Sequence, residues 1–212
     1  MDFSKISETL VAGKTDDLKK LVEDAINENG NPADILNQGL LPGMDAVGQK
    51  WKAGDMFMPE VLRSAKAMSN SMDILRPHLK EGDMGNTGTM VIGTVAGDLH
   101  DIGKDLAAMM FEGAGYKVIN IGIDQPNEAF VEAVKKHQPN ILGMSALLTT
   151  TMPRMGEVIN SLKEAGIRDK VAVIIGGAPV TQEFADEIGA DIYAPNAGSA
   201  VEITNEHLNK AK

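Results

Sequence analysis

The chain has 212 residues, with Lys+Arg 20 against Asp+Glu 30 and a formal net charge of −10. So acidic a chain has no global pull toward phosphate backbones, which sets nucleic acid aside as a partner. Hydrophobic residues make up 43% and cysteine is absent, so a core can be buried while disulfides, thiolate zinc sites, iron–sulfur ligation and cysteine nucleophiles are excluded.

The length allows one large domain or two small ones. Met1–Ser4 carries neither a basic nor an apolar leader, and no run approaches ~18 uninterrupted apolar residues. The expectation is a soluble cytoplasmic protein with no membrane partner. Five of the 13 methionines lie between positions 44 and 72. They read either as filler for an irregular core or as a soft apolar surface able to repack around something large.

The first eighty residues read as helices only. Leu18, Leu21, Val22, Ala25 and Ile26 form an i, i+3, i+4, i+7, i+8 stripe, with an N-cap expected in Thr15–Asp17 and a stop at Asn29-Gly30. Asn31-Pro32 restarts a helix with proline at its first position. Met44, Val47, Gly48 and Trp51 form another stripe, interrupted by Gly54. Pro59 opens a long helix whose apolar face is Val61, Ala65, Met68, Met72 and Leu75. Four helices with short loops predict a small bundle.

Residues 80–88 hold three glycines and no apolar periodicity, as a linker would. The domains expected are 1–82 (helical), 83–88 (linker) and 89–212. Beyond the linker, β-rich runs at 89–95, 116–121, 140–145 and 171–175, and a weaker one at 191–194, alternate with helical stretches at 103–113, 127–137, 152–165, 182–188 and 199–210. Five alternations predict an α/β domain with a five-stranded parallel sheet in the flavodoxin-like order 2-1-3-4-5.

Ligands in such a sheet bind beyond the carboxyl ends of the strands, where strands 1 and 3 part. The sequence is unusual after strands 1, 3 and 4. After strand 1 stands Gly97-Asp98-Leu99-His100-Asp101-Ile102-Gly103-Lys104. A loop histidine two residues from an aspartate suits metal ligation, since one ring nitrogen can bind a metal while the other donates to the carboxylate. Gly103 leaves room at the helix start. An ordinary N-cap beside an incidental histidine explains the stretch equally. After strand 3, Ser145 through Met152 offers a run of hydroxyls, either for a buried heterocycle or merely to cap the next helix. After strand 4, Gly176-Gly177-Ala178-Pro179 lets a ligand lie on bare backbone, or is simply a tight turn. Dinucleotide, P-loop, response-regulator and nucleophile-elbow patterns are missing. Zinc is disfavoured, because the other three histidines do not gather near this loop.

Asp98-x-His100-x-x-Gly103, Ser145-x-Leu147 and Gly176-Gly177 together resemble the cobalamin-binding domain family, in order, spacing and place on the sheet. The resemblance implies that the nucleotide tail of a corrinoid threads into the sheet domain between strands 1 and 3 and over the glycine pair. It makes His100 the lower axial ligand of cobalt and Asp98 the acceptor for its other nitrogen. Thr151 stands where a serine completes a relay in methionine-synthase-like members. Ser145 would face the benzimidazole nitrogen, with Thr149 nearby. The cofactor-binding set implied is Asp98 to Gly103, Ser145, Leu147, Thr149, and Gly176, Gly177 and Ala178. Residues 56–68 resemble the cap domain of corrinoid methyl carriers. By that register Trp51, Met58 and Val61 would shield the upper face of the cofactor; the alternative is that all three are bundle core.

The function implied is a corrinoid methyl carrier, non-catalytic alone. It would pass a methyl group on cobalt from a substrate:corrinoid methyltransferase to a second methyltransferase acting on a thiol or tetrahydrofolate-type acceptor, with a reductive activase as a third partner. The alternative is the small subunit of an adenosylcobalamin mutase, against which the helical segment argues. A cobalamin-sensing regulator would need a DNA-reading module, and no basic helix-turn-helix segment is present. The methyl donor is not legible in the chain.

Overall fold

The computed structural model describes residues 2–79 and 88–210. The expected linker lies outside the described residues except for Gly88, whose carbonyl accepts from the Lys117 N–H at 3.0 Å. The chain divides into two compact units. One joins the residues before position 88 with Met109–Tyr116, and the other joins Gly88–Ala108 with Lys117–Lys212.

The helical unit runs α1 (Phe3–Val11), α2 (Thr15–Asn27), α3 (Pro32–Asp34), a π-helical segment (Ile35–Leu40), α4 (Leu41–Ala53) and α5 (Met58–Leu75). Two expectations change here. The helices expected to begin at Pro32 and near Met44 are one uninterrupted run, and the remaining member is α1, which its sequence hides. Only Ile6 and Leu10 of α1 are buried, too few to define a stripe. The signal lay on its partner. Gly39 and Gly43, four residues apart, make a flat strip against which α1 lies. A Cβ at Gly39 would stand 3.0 Å from Ile6 Cγ2, and one at Gly43 3.1 Å from both Leu10 Cδ2 and the Ser7 carbonyl.

The helix ends follow local chemistry. Asn31 caps α3 by accepting from the Ala33 N–H at 3.0 Å, with Pro32 in the first turn. Gly54 closes α4 in the left-handed conformation, φ 81°. The Glu60 carboxylate accepts from the Phe57 N–H at 2.8 Å at the start of α5. Thr15–Asp17 provide no cap: Thr15 is the first residue of α2 and Lys14 precedes it without a side-chain hydrogen bond, so Asp16 and Asp17 favour the helix start only through its dipole. The expected stripe of α5 is buried throughout, and four of the five methionines between 44 and 72 are buried, Met58 alone being exposed.

The second unit has β1 (Thr89–Val95), the part of α6 (Ile102–Gly113) up to Ala108, β2 (Lys117–Gln125), α7 (Asn127–His137), β3 (Ile141–Ser145), α8 (Pro153–Glu164), β4 (Ala172–Gly176), α9 (Gln182–Ile188), β5 (Ile192–Tyr193) and α10 (Ala197–Lys210). The strands pair in parallel in the order β2-β1-β3-β4-β5. β1, β3 and β4 are apolar runs buried on both faces, as a sheet covered by helices demands. Register aligns Thr94 with Ser145 and Ser145 with Gly176, so the carboxyl ends of the three central strands end at one level. β2 differs from expectation by running four residues past Ile121. It is the outer strand beside β1, and it slips register twice against it.

The glycine strip yields a test. Gly43→Val would press a branched side chain into the Ser7 backbone, and overpacking of this kind costs roughly 1–3 kcal/mol. Urea unfolding of the variant should show a loss in that range with an unchanged slope, whereas Gly54→Ala, which meets no neighbour, should show only the backbone penalty of about 1 kcal/mol.

Candidate functional site

The loops after β1 and β3 meet at the side chain of Asp98, which is fully buried. A buried carboxylate is costly unless every lone pair is met, and here they are. Oδ1 accepts from the His100 N–H at 3.1 Å and lies 2.7 Å from His100 Nδ1. Oδ2 accepts from the Leu147 N–H at 2.7 Å, the Leu148 N–H at 3.3 Å and the Thr151 hydroxyl at 2.7 Å. Burial alone would raise the Asp98 pKa. The Leu147 N–H, the Thr151 hydroxyl and the two His100 donors outweigh it and hold the carboxyl well below the usual carboxylate range. Asp98 is therefore an anion at any ordinary pH, and an anion can only accept. Nδ1 must be the protonated nitrogen of a neutral His100 ring, which leaves the lone pair on Nε2.

The ring is half exposed, and no described residue bonds Nε2. Four large apolar side chains on the same two loops are also exposed: Leu99 (67%), Ile102 (72%), Leu147 (41%) and Leu148 (42%). A basic nitrogen amid exposed apolar side chains is poorly matched to water and well matched to a broad ligand with an electrophilic centre. Gly103 adds to this. Its φ is ordinary and a Cβ there would meet nothing within 4 Å, so neither backbone strain nor packing within the chain accounts for glycine. Among the described residues, no three His, Cys, Asp or Glu side chains gather into a metal cage.

The expected site residues are thus brought together unevenly. Asp98, His100, Thr151 and the backbone of Leu147 form one network, with Leu99, Asp101, Ile102 and Gly103 on the same loop. Ser145, half-buried, ends β3, and Thr149 is exposed on the turn beyond it; neither joins the Asp98 network. Ala178 is exposed after β4. Gly177 has φ 141°, and a Cβ would lie 1.8 Å from the carbonyl oxygen of Ala146, the residue after β3, so the tight-turn alternative by itself requires glycine there. A Cβ at Gly176 would come within 3.2 Å of the Ala194 carbonyl. In the helical unit, Val61 is fully buried while Met58 is exposed at 43% beside Phe57 at 71% and Leu62 at 36%, and Trp51 is half-buried. Trp51 and Met58 offer apolar surface outward; Val61 offers none.

Several supporting residues were not legible in advance. Buried Thr94 donates to the His100 carbonyl at 3.0 Å, and Asp124 holds Gly97 and Asp98 by two hydrogen bonds. Lys104, buried beneath the first turn of α6, pairs with Asp105 and donates to Asn120 Oδ1 at 3.0 Å. A backbone donor such as the Leu147 N–H leaves no mark in a sequence. Nor does the burial of Lys104, which obliges it to find a partner.

Comparison with known proteins identifies the family. Residues 88–203 match the family model of a B12 binding domain, and residues 3–76 match a second model with the same description. A corrinoid protein of Desulfitobacterium hafniense is 42% identical over 98% of both chains. A dimethylamine corrinoid protein of Methanosarcina mazei is 43% identical over 97% of this chain and 95% of its own. The crystal structure of the methanol:cobalamin methyltransferase complex of Methanosarcina barkeri superposes with a TM-score of 0.81 at 30% identity, covering 96% of this chain and 82% of the other. The fold is that of a cobalamin-binding flavodoxin-like domain in a chain that also carries a helical domain matched by a B12 binding model. The chain belongs to the family of B12-binding corrinoid proteins.

The Thr151 contact can be tested without any cofactor. Removing a donor from a buried charged acceptor costs about 1.5–3 kcal/mol. Thr151→Val should lose that much in urea unfolding, and Thr151→Ser, which keeps the hydroxyl, should lose well under half as much. A larger loss in Thr151→Ser than in Thr151→Val would show that the methyl group, not the hydroxyl, matters.

Proposed function

We propose that the chain is the methyl-carrying corrinoid subunit of a methyltransferase system, in which His100 would be the residue that holds cobalt. The observation that carries the reading is the anionic, five-donor Asp98 holding the Nδ1–H of His100, so that Nε2 keeps its lone pair, with exposed leucines and an isoleucine on the same two segments of chain. A single nitrogen suffices for a metal already held by its own macrocycle, and the donor set fits that group. When bound, the corrinoid supplies the cobalt that accepts and releases a methyl group.

The chain's own part is to bind, orient and tune. Asp98 keeps the imidazole in one tautomer and raises its basicity as a ligand. Thr151 and the two leucine amides keep Asp98 from taking up a proton, so the tautomer does not change as the electron demand on His100 varies. Ser145, Thr149, Gly176, Gly177 and Ala178 would line the entry of the nucleotide tail at the level of the β3 and β4 carboxyl ends. Trp51 and Met58, with Phe57 and Leu62, give the helical unit exposed apolar surface of the kind a cap domain would use. The 1–82, 83–88 and 89–212 division follows this reading, as cap domain, linker and cofactor domain.

A carrier needs partners. The named relatives are corrinoid proteins of methylamine and methanol systems, which supports a substrate-specific methyltransferase as donor partner and disfavours the mutase subunit. A second methyltransferase, acting on a thiol or tetrahydrofolate-type acceptor, would remove the methyl group, and a reductive activase would restore cobalt lost to oxidation. The described residues contain no helix long and apolar enough to cross a membrane, and the reading places the cycle in the cytoplasm.

His100→Ala tests the ligation. The variant should still take up one corrinoid, because the tail is held elsewhere in the sheet unit, but its cobalt(III) absorption spectrum should lose imidazole coordination. A spectrum identical to the unaltered protein's would remove His100 from the metal.

A further inference from the structure

We infer that Asp124 is a positioning residue for the loop that carries His100, and that two bulges in β2 deliver it there. The inference rests on the reading of His100 as the cobalt ligand and adds a residue to it.

The register between β1 and β2 is regular from Thr89↔Lys117 to Ile92↔Asn120, then passes to Gly93↔Gly122 and to Val95↔Gln125. β2 has therefore gained one residue at each slip and runs two residues ahead of β1. Bulges of this kind re-aim side chains and recur beside functional sites. Here they carry positive φ at Gly122 (96°) and at Asp124 (51°). Glycine takes such a conformation freely, whereas aspartate is tolerated in it only at a cost. The cost has a visible return. The Asp124 carboxylate accepts from the Gly97 N–H at 2.7 Å, and the Asp124 N–H donates to the Asp98 carbonyl at 3.1 Å. One residue thus grips the chain on both sides of the Gly97–Asp98 peptide, where Gly97 itself has φ 81°.

The same strand holds the other end of the loop. Asn120, at the first bulge, accepts from the Gly122 N–H at 3.0 Å. It also accepts from Lys104 Nζ at 3.0 Å and donates to Asp105 Oδ1 at 2.9 Å, so the first turn of α6 is tied to β2 as well. Between these ties stand Asp98, Leu99 and His100. The Asp98 carboxylate fixes the His100 ring relative to the β3 loop, but it moves with its own backbone. Asp124 fixes that backbone, and with it where Nε2 points.

The test uses the full-length protein loaded with hydroxocobalamin and reduced to the cobalt(II) state, whose electron paramagnetic resonance spectrum is split by an axial nitrogen. Asp124→Asn keeps the acceptor and tolerates positive φ, and should keep the unaltered splitting. Asp124→Ala and Asp124→Gly should bind one corrinoid per chain yet lose at least half of the nitrogen-split signal. Asp124→Gly adopts φ 51° without strain, so its melting temperature should not fall below that of Asp124→Ala, which separates loss of the grip from loss of stability. Full splitting in Asp124→Gly, or failure of that variant to take up corrinoid, overturns the inference. An unaltered protein with no nitrogen splitting, or splitting that survives His100→Ala, overturns the ligation reading and this inference with it. Splitting lost in His100→Ala but intact in Asp124→Gly overturns this inference alone.

Discussion

Everything at the carboxyl end of the sheet depends on keeping one buried carboxylate charged. Asp98 is out of contact with water, and an isolated anion there would cost several kcal/mol. Five donors from two loops remove that cost, and in doing so they assemble the site. The turn after β3 must bring the amides of Leu147 and Leu148 and the hydroxyl of Thr151 to one oxygen. The loop after β1 must fold back so that the amide and the ring of His100 reach the other. The side chains of Leu147 and Leu148 are exposed while their amides are committed to the buried carboxylate. Exposed apolar surface beside the network is thus in part the by-product of satisfying a charge.

The same constraint explains why the sheet domain was readable from sequence and where the reading stopped. Period-2 and buried runs such as Thr89–Val95 and Ile141–Ser145 fix strands because both of their faces must be apolar, and the order 2-1-3-4-5 follows from five βα alternations. Asp98 and His100 were legible as candidate chemistry because a carboxylate two residues from an imidazole suits metal ligation, while Thr151 was legible only through the resemblance that places a hydroxyl there. The amides of Leu147 and Leu148, and the grip of Asp124, were not legible. An N–H is common to every residue but proline, and a bulge depends on pairing between residues 28 to 30 positions apart. The extension of β2 past Ile121 was hidden for the same reason: Gly122 and Asp124 look like turn residues, and only their pairing with β1 makes them part of a strand.

In the helical unit the misreading ran the other way. Periodicity found the long stripe of α5, but it divided one run from Pro32 to Ala53 into two helices and overlooked α1. The π-helical segment shifts the phase of the apolar face by one residue, which breaks a 3.6-residue pattern without breaking the helix. α1 contributes only two buried side chains, so its evidence sits in Gly39 and Gly43. Gly177 teaches a related lesson. A glycine beside a ligand site looks like space left for the ligand, yet the atom that excludes a Cβ is the Ala146 carbonyl of the protein itself. Gly103 is the contrasting case, a glycine with nothing near it, and is the better indicator of an external group.

The central claim is that Asp98 sets the tautomer of His100 before any cofactor arrives. Nitrogen-15 NMR of the imidazole-labelled, corrinoid-free protein at mildly alkaline pH reads this directly. The account predicts a protonated Nδ1 and a bare Nε2 for His100, with the preference lost in Asp98→Ala. A protonated Nε2, or a tautomer ratio indifferent to Asp98→Ala, would contradict it.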